Sequence, residues 1–445
     1  MENISHSRDY ATTLVKFRPS TDAPSLRFPE PAKLLSKVKA KFKSINSIKL
    51  QEEKSFFELD KLRPKAYHKM SWCALYSKKF KIRAIKHQIR QLKNQRALTS
   101  ISLSNQGCSD QGVRIIALNL KHLNFLSGIT LDLSGSVKMT NGSMKNLAYC
   151  FKEHSSLTSL NINLFGCREI SEGGFKALFS AFKYLKLLSD LTLYFVWFKK
   201  LSDNDLIYLS TVFRYIKSLE TLSLYFNLCP QITSKGLCKV FESLHNFNKL
   251  STLRLSLAAL DIQGPEAEKC MTSLGVALQS LKALKVVEIS FHEYNHMNCE
   301  AFEGLCKGLE TLTSLHSLKL KLTDCSMIQE EGMKSFYRVL THQQNLFELC
   351  LGLGGCISIN DEQIEMLNRS LLGLTNLRRL EINLSSLPHI SDKSIESQSR
   401  TFKQLENLND LKLAYFDDKI SDVAIENLKH NLKHINVSVN NYDMF

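Results

Sequence analysis

Apolar residues recur along the chain with a period of 31 residues. Residues 157–164, LTSLNINL, return as 188–195, LSDLTLYF, and again as 219–226, LETLSLYF. About twelve units follow this register, mostly 31 residues apart, and they open at residues 98, 126, 157, 188, 219, 250, 284, 315, 346, 377, 408 and 432. Such internal periodicity predicts a repeat architecture, in which each unit is one supersecondary element.

Each unit predicts one strand and one helix. Counting from the opening residue as offset 0, apolar residues fall at offsets 0, 3, 5 and 7 and then near 13, 18, 21, 25 and 28. The first alternation is that of a strand with one buried face, and the later steps of three and four are those of a helix. Turns such as Ile170-Ser-Glu-Gly or Ile232-Thr-Ser-Lys-Gly lie between them, with a Ser or Thr suited to cap the helix. Neighbouring units must stack to bury these faces.

This L-x-x-L-x-L pattern with its I-[ST] turn resembles the leucine-rich repeat of the ribonuclease-inhibitor-like type. The resemblance covers roughly residues 98–440, with about two more residues between strand and turn than the commonest form. It implies an α/β fold: a curved solenoid with parallel strands on the concave side and helices on the convex side. Such a fold serves many unrelated partners, so it does not assign a function.

Charge is distributed unevenly along the 445-residue chain, whose formal net charge is +15. Residues 1–97 hold 23 Lys and Arg against 8 Asp and Glu, whereas residues 98–445 hold 35 of each. We expect three regions: a basic N-terminal extension with a Pro-containing linker (1–60), a basic helical cap (61–97) and the solenoid (98–445). The exposed side of the cap is the predicted docking element, formed by Lys79, Lys81, Lys86, Arg90, Lys93 and Arg96.

The basic region has three interpretations: a solvated cap and tail, docking on an acidic protein such as a cytoskeletal polymer, or nucleic-acid binding. Its aromatic residues interleave with Lys and Arg, but no recognised nucleic-acid-binding motif occurs. We expect no membrane association, because no lipidation signal or long apolar run is evident. Without an apolar leader segment, the expected compartment is the cytoplasm, with cytoskeletal association or the nucleus as alternatives.

Motifs for catalysis are absent where they would be expected. Gly352-Leu-Gly354-Gly355 has no following GK[ST], and neither a GxSxG elbow nor an HExxH motif appears. The sequence therefore predicts a protein that is not an enzyme and needs no cofactor. His292, His296 and Cys299 have spacing that a zinc ion could use, but their register places them in a polar surface turn.

Cysteine recurs at offset 10 of five units. A small side chain filling a recurrent, half-buried slot explains this placement, and we expect free packed thiols. The five positions are Cys108, Cys167, Cys229, Cys325 and Cys356.

Offsets 2, 4 and 6 form the outward face of the predicted strands, and most of their side chains are small or polar. Tyr194 and Tyr225 interrupt this face side by side at offset 6, with Phe165 and Trp197 just beyond the strand ends. Aromatic residues are enriched at binding hot spots, so these four are the predicted protein-binding residues. In the alternative interpretation, Trp197 and Phe198 fold back to cover the turn.

These features predict a non-enzymatic scaffold or adaptor that binds protein through the solenoid, with the basic arm docking on an acidic partner. Two alternatives remain. The architecture is similar to that of the Ran GTPase-activating family, which implies a regulator of a small GTPase, although no catalytic residue can be matched by motif. A substrate-recognition subunit of a ubiquitin ligase is the other, because many similar repeats follow an F-box.

Overall fold

Twelve parallel strands form one open sheet in the order of the sequence. The computed structural model describes residues 99–123, 125–260, 265–292, 297–415 and 419–440. The predicted extension (1–60) and helical cap (61–97) lie outside the described residues. The strands, β1 to β12, are Ser100–Ser104, Gly128–Asp132, Ser159–Asn163, Asp190–Tyr194, Thr221–Tyr225, Thr252–Ser256, Val286–Ser290, Ser317–Lys321, Glu348–Gly352, Arg379–Asn383, Asp410–Ala414 and Asn436–Asn440.

An α-helix separates each strand from the next, so the predicted alternation of strands and helices is confirmed. The eleven helices of the described ranges, α1 to α11, are Asp110–Leu120, Asn141–Phe151, Glu172–Phe182, Asp203–Phe213, Ser234–Ser243, Pro265–Ser280, Cys299–Glu310, Glu330–Thr341, Asp361–Leu371, Asp392–Gln404 and Asp422–Asn431. A short 3-10 turn, Leu244–Asn246, follows α5. None of the helices in these ranges is both long and apolar enough to span a membrane.

Strand pairing follows the repeat register. Each of the first eleven strands occupies offsets 2 to 6 of its unit, and equal offsets pair, as Leu191 with Leu222 does. The last unit departs from the prediction, because Val437 pairs with Leu411 and its register therefore opens at residue 434 rather than 432. Val437 and Val439 occupy offsets 3 and 5, and the spacing of apolar residues alone had placed them two positions later.

The core lies between the sheet and the helices and runs without interruption from one unit to the next. Leucines at offsets 0, 3, 5 and 7 supply most of the strand side, and phenylalanines fill the middle units. Phe175 of α3, for example, contacts Phe195 and Phe198 with ring centroids 5.7 and 5.3 Å apart. This continuous burial is the reason why one unit cannot be stable without its neighbours.

Helix starts are joined across units by aspartate. The Asp110 carboxylate accepts hydrogen bonds from the Thr140 backbone N–H and hydroxyl at 2.8 and 2.6 Å. Asp203 does the same for Thr233 at 2.8 and 2.6 Å, and Asp361 for Ser391 at 2.9 and 2.7 Å. At these three junctions the Ser or Thr cap is therefore itself held by the preceding helix, which fixes the positions of the two helices relative to each other.

Candidate functional site

The candidate site lies on the exposed face of the sheet, which offsets 2, 4 and 6 form. Along β3, β4 and β6 the side chains alternate between half-buried and buried, with the half-buried ones on this face. From β1 to β5 the face carries mainly Ser, Thr and Asn. From β6 onwards it carries ion pairs, among them Arg254 with Glu288 at 3.5 Å and Lys319 with Glu348 at 3.1 Å.

Two stacked tyrosines lie at the boundary between the part rich in Ser, Thr and Asn and the part with ion pairs. Tyr194 ends β4 and Tyr225 ends β5, and the two are direct partners in the strand register. Their ring centroids are 4.1 Å apart and the rings are inclined by only 11°. Burial raises the pKa of Tyr225, and the neighbouring Tyr194 phenol raises it further. Tyr225 therefore stays neutral at physiological pH, so it offers a hydroxyl and a ring edge without charge.

An exposed tryptophan lies beyond the end of β4. Trp197 is 40% exposed, and Phe165 in the preceding unit is 43% exposed, with their ring centroids 6.1 Å apart. The guanidinium of Arg168 covers the Trp197 ring, with its central carbon 3.6 Å from the ring centroid. This cation–π contact was not predicted from the sequence. It could have been, because Arg168 lies at offset 11 of one unit and Trp197 at offset 9 of the next.

The two neighbouring aromatic residues of this turn have opposite environments. Phe198 is fully buried in the core, whereas Trp197 adopts a left-handed backbone conformation with φ 68°. That conformation turns the tryptophan outward. The alternative in which both side chains fold back over the turn therefore holds for Phe198 alone.

Polar groups of β4, β5 and β6 lie on the same face of the sheet as the tyrosine pair. Asp190 begins β4, and burial raises its pKa while the charge of Arg254 on β6 partly offsets this effect. Ser223, between them on β5, is only 2% exposed. The charges of Glu288 and Arg254 shift the pKa of Tyr225 in opposite directions, so their ion pair lies beside the aromatic cluster (Phe165, Tyr194, Trp197 and Tyr225), the arrangement of an apolar contact area with a polar rim.

The cysteines at offset 10 form a structural ladder. They are at most 3% exposed, so the slot is fully buried rather than half-buried as predicted. The Cys229 thiol donates to the carbonyl of Phe195 at 3.1 Å, and Cys356 donates to Leu322 at 3.1 Å, each across one unit boundary. Burial raises the pKa of Cys229 to about 12. All the cysteines of the described ranges are free thiols.

The remaining candidates are only partly within the described residues. His296 of the zinc candidate lies outside them, while His292 is 3.8 Å from the Asp324 carboxylate and Cys299 begins α7. Within the described ranges no three His, Cys, Asp or Glu side chains are grouped to hold a metal. The predicted docking residues of the basic cap, Lys79, Lys81, Lys86, Arg90, Lys93 and Arg96, all lie outside the described residues.

The strand order, the equal-offset pairing and the continuous core define this chain as an α/β repeat solenoid protein. No protein-family model matches the sequence, and no curated protein matches it significantly.

Proposed function

We propose that this solenoid is a leucine-rich-repeat protein of the ribonuclease-inhibitor-like type and acts as a cytoplasmic, non-enzymatic scaffold that binds a protein partner. The aromatic cluster is the contact surface in this proposal. The observation that carries it is the pair of half-buried, stacked rings of Tyr194 and Tyr225 next to the exposed Trp197, on a face whose first five strands otherwise carry mainly Ser, Thr and Asn.

Three physical properties support binding at this place. Stacked tyrosines lose little conformational entropy when a partner covers them, because they are already held against each other. Tyrosine and tryptophan bury large areas and dominate the energetics of protein interfaces. The small Ser, Thr and Asn residues of β1 to β5 let a partner's side chains approach the sheet closely.

The basic region completes the proposal as an electrostatic element. Its uncompensated positive charge, concentrated in residues 61–97, would attract an acidic partner and raise the association rate. The proposed contact residues there remain Lys79, Lys81, Lys86, Arg90, Lys93 and Arg96.

The test is quantitative affinity purification of the full chain at near-physiological salt, followed by mass spectrometry. The double variant Tyr194→Ser/Trp197→Ser removes two of the four rings of the cluster, and Phe125→Ser removes an aromatic residue that is 46% exposed elsewhere. We expect a discrete set of proteins to be lost with the double variant and retained with Phe125→Ser.

A partner set that is the same for all three proteins would contradict the assignment of the cluster. Stimulated GTP hydrolysis by a purified GTPase would instead support the GTPase-regulator alternative. Co-purification of a Skp-type adaptor would support the ubiquitin-ligase alternative.

A further inference from the structure

Exposed tyrosines and basic side chains interleave on the helical side of the first four units. Tyr149, Tyr184 and Tyr215 are 52, 50 and 41% exposed. We call this surface the Lys–Tyr belt. It comprises Lys121, Tyr149, Lys152, Lys176, Lys183, Tyr184, Tyr208, Arg214 and Tyr215.

Cations of the belt lie over the rings of the next unit. The ammonium of Lys121 is 4.1 Å from the ring centroid of Tyr149, one unit later. Lys152 repeats the contact with Tyr184 at 5.5 Å, and Lys183 repeats it with Tyr215 at 5.6 Å. All three separations are within the range of cation–π attraction. The contacts hold a regular row of positive charges across α1 to α4.

One cation of the belt is paired, because the Lys121 ammonium is 3.6 Å from the Glu153 carboxylate, but Lys152 and Lys183 make no ion pair with any described residue. In α1 to α4 with their C-terminal capping residues, seven Lys and Arg stand against four Asp and Glu. Three of those acids are used at helix starts: Asp110 and Asp203 hold the next unit, and Asp205 accepts from the Ser202 hydroxyl at 2.9 Å.

Later helices neutralise their lysines with carboxylates of the same helix. Lys307 of α7 is 3.1 Å from Glu303, and Lys334 of α8 is 2.8 Å from Glu330. The helix dipole explains why cations lie at helix C-termini, but it does not explain the exposed tyrosines.

We propose that the Lys–Tyr belt is a second binding surface, on the opposite side of the units from the aromatic cluster, and that its partner is an acidic polypeptide segment. Charge complementarity requires an anionic partner. The ammonium groups that lie 4.1 to 5.6 Å from the three ring centroids can pair with carboxylates of such a partner. Four of the five belt cations are lysines, which are point charges without the planar guanidinium that stacks on bases, so we favour an acidic peptide over a nucleic acid.

The experiment measures fluorescence anisotropy of a fluorescein-labelled 16-residue polyglutamate peptide with the full chain. Lys152→Glu/Lys183→Glu reverses two charges of the belt, and Lys307→Glu/Lys334→Glu makes the same change in net charge where each lysine is already paired. We expect the belt variant to bind about tenfold more weakly, since two attractive contacts with the peptide become repulsive. The control variant should bind within about twofold of the unmodified chain.

Two single variants of Tyr184 test whether the tyrosine ring contributes to binding. Tyr184→Phe keeps the ring under Lys152 and should retain binding, whereas Tyr184→Ser frees the lysine and should weaken it. Tyr194→Ser/Trp197→Ser should bind the peptide normally, which separates failure of the belt from failure of the proposed partner site. Thermal unfolding of each variant verifies that it is folded.

Two results would overturn the proposal. Equal weakening in the belt variant and the control variant would mean that net charge, dominated by residues 1–97, governs the binding. Tighter binding of a 16-nucleotide oligouridylate than of the peptide, lost in the belt variant, would identify the surface as one for nucleic acid.

Discussion

A left-handed backbone conformation occupies offset 9 of nine units in the described part of the chain. Glycine takes this position in four of them, including Gly135 and Gly355, while five others place a side chain there, including Trp197 and Ser386. A side chain in this conformation costs roughly 1 kcal/mol, because its Cβ crowds the following carbonyl. The strain at Trp197 is therefore a property of the turn, and the site uses it to present the ring.

At offset 9, replacing glycine by serine should lower the stability of the protein, and replacing serine by glycine should raise it. No atom lies within 4 Å of a Cβ added at Gly135, so Gly135→Ser adds only backbone strain. We expect it to lower the free energy of unfolding by about 1 kcal/mol. Ser386→Gly should raise it by about 0.5 kcal/mol, since relief of strain exceeds the entropy that glycine adds to the unfolded chain.

Urea denaturation followed by circular dichroism measures both changes. Ser104→Gly is the control, because Ser104 lies in β1 and its substitution relieves no left-handed strain. Stabilisation by both glycine variants, or by neither, would contradict the assignment of the effect to offset 9.

At the scale of the elements, α6 and α7 approach each other more closely than side chains allow. A Cβ on Gly275 would lie 2.0 Å from the Gly304 carbonyl oxygen, and one on Gly308 would lie 2.3 Å from the Gly275 carbonyl oxygen. These are backbone atoms, which cannot rotate away as a flexible side chain could. Glycine at these three helical positions is therefore required by packing, despite its poor helix propensity.

Gly275→Ala should destabilise the protein although alanine is the better helix former. Alanine gains about 1 kcal/mol of propensity, but forcing the two helices apart costs roughly 3 kcal/mol, for a net loss of about 2 kcal/mol. Gly173→Ala in α3 is the matched control, because its Cβ would make an ordinary contact 3.5 Å from Asn141. A Gly275→Ala unfolding midpoint equal to or above that of the unmodified chain would show that the helices separate at little cost.

The sequence predicted the elements because period-two and helical spacings repeat at the same offsets. It could not predict that Phe198 is buried while Trp197 is exposed. Both residues are aromatic neighbours, and the sign of φ at Trp197 decides which side chain is buried. It also missed the Lys–Tyr belt. Lys121 and Tyr149 are 28 residues apart, and their contact becomes visible only when equal offsets of adjacent units are compared.

At the scale of the whole molecule, the contacts that hold the array together join each unit to the units directly before and after it. Each described strand pairs only with the strands before and after it in the sequence, and helix packing likewise joins consecutive helices. Stability of such an array is approximately a sum of unit terms and interface terms, so a local defect need not reach distant units.

This connectivity predicts that Leu411→Ala will loosen one end of the array only. Leu411 of β11 is fully buried, and its truncation should cost about 3 kcal/mol. We expect faster amide hydrogen exchange in β10 to β12 and unchanged exchange in β1 to β5, because no contact carries the defect across the intervening units. Lys412→Ala, on the exposed face of the same strand, should change neither region. Faster exchange in β1 as well would mean that the twelve units open as one cooperative body, and the aromatic cluster and the Lys–Tyr belt would then share their stability with the far end of the sheet.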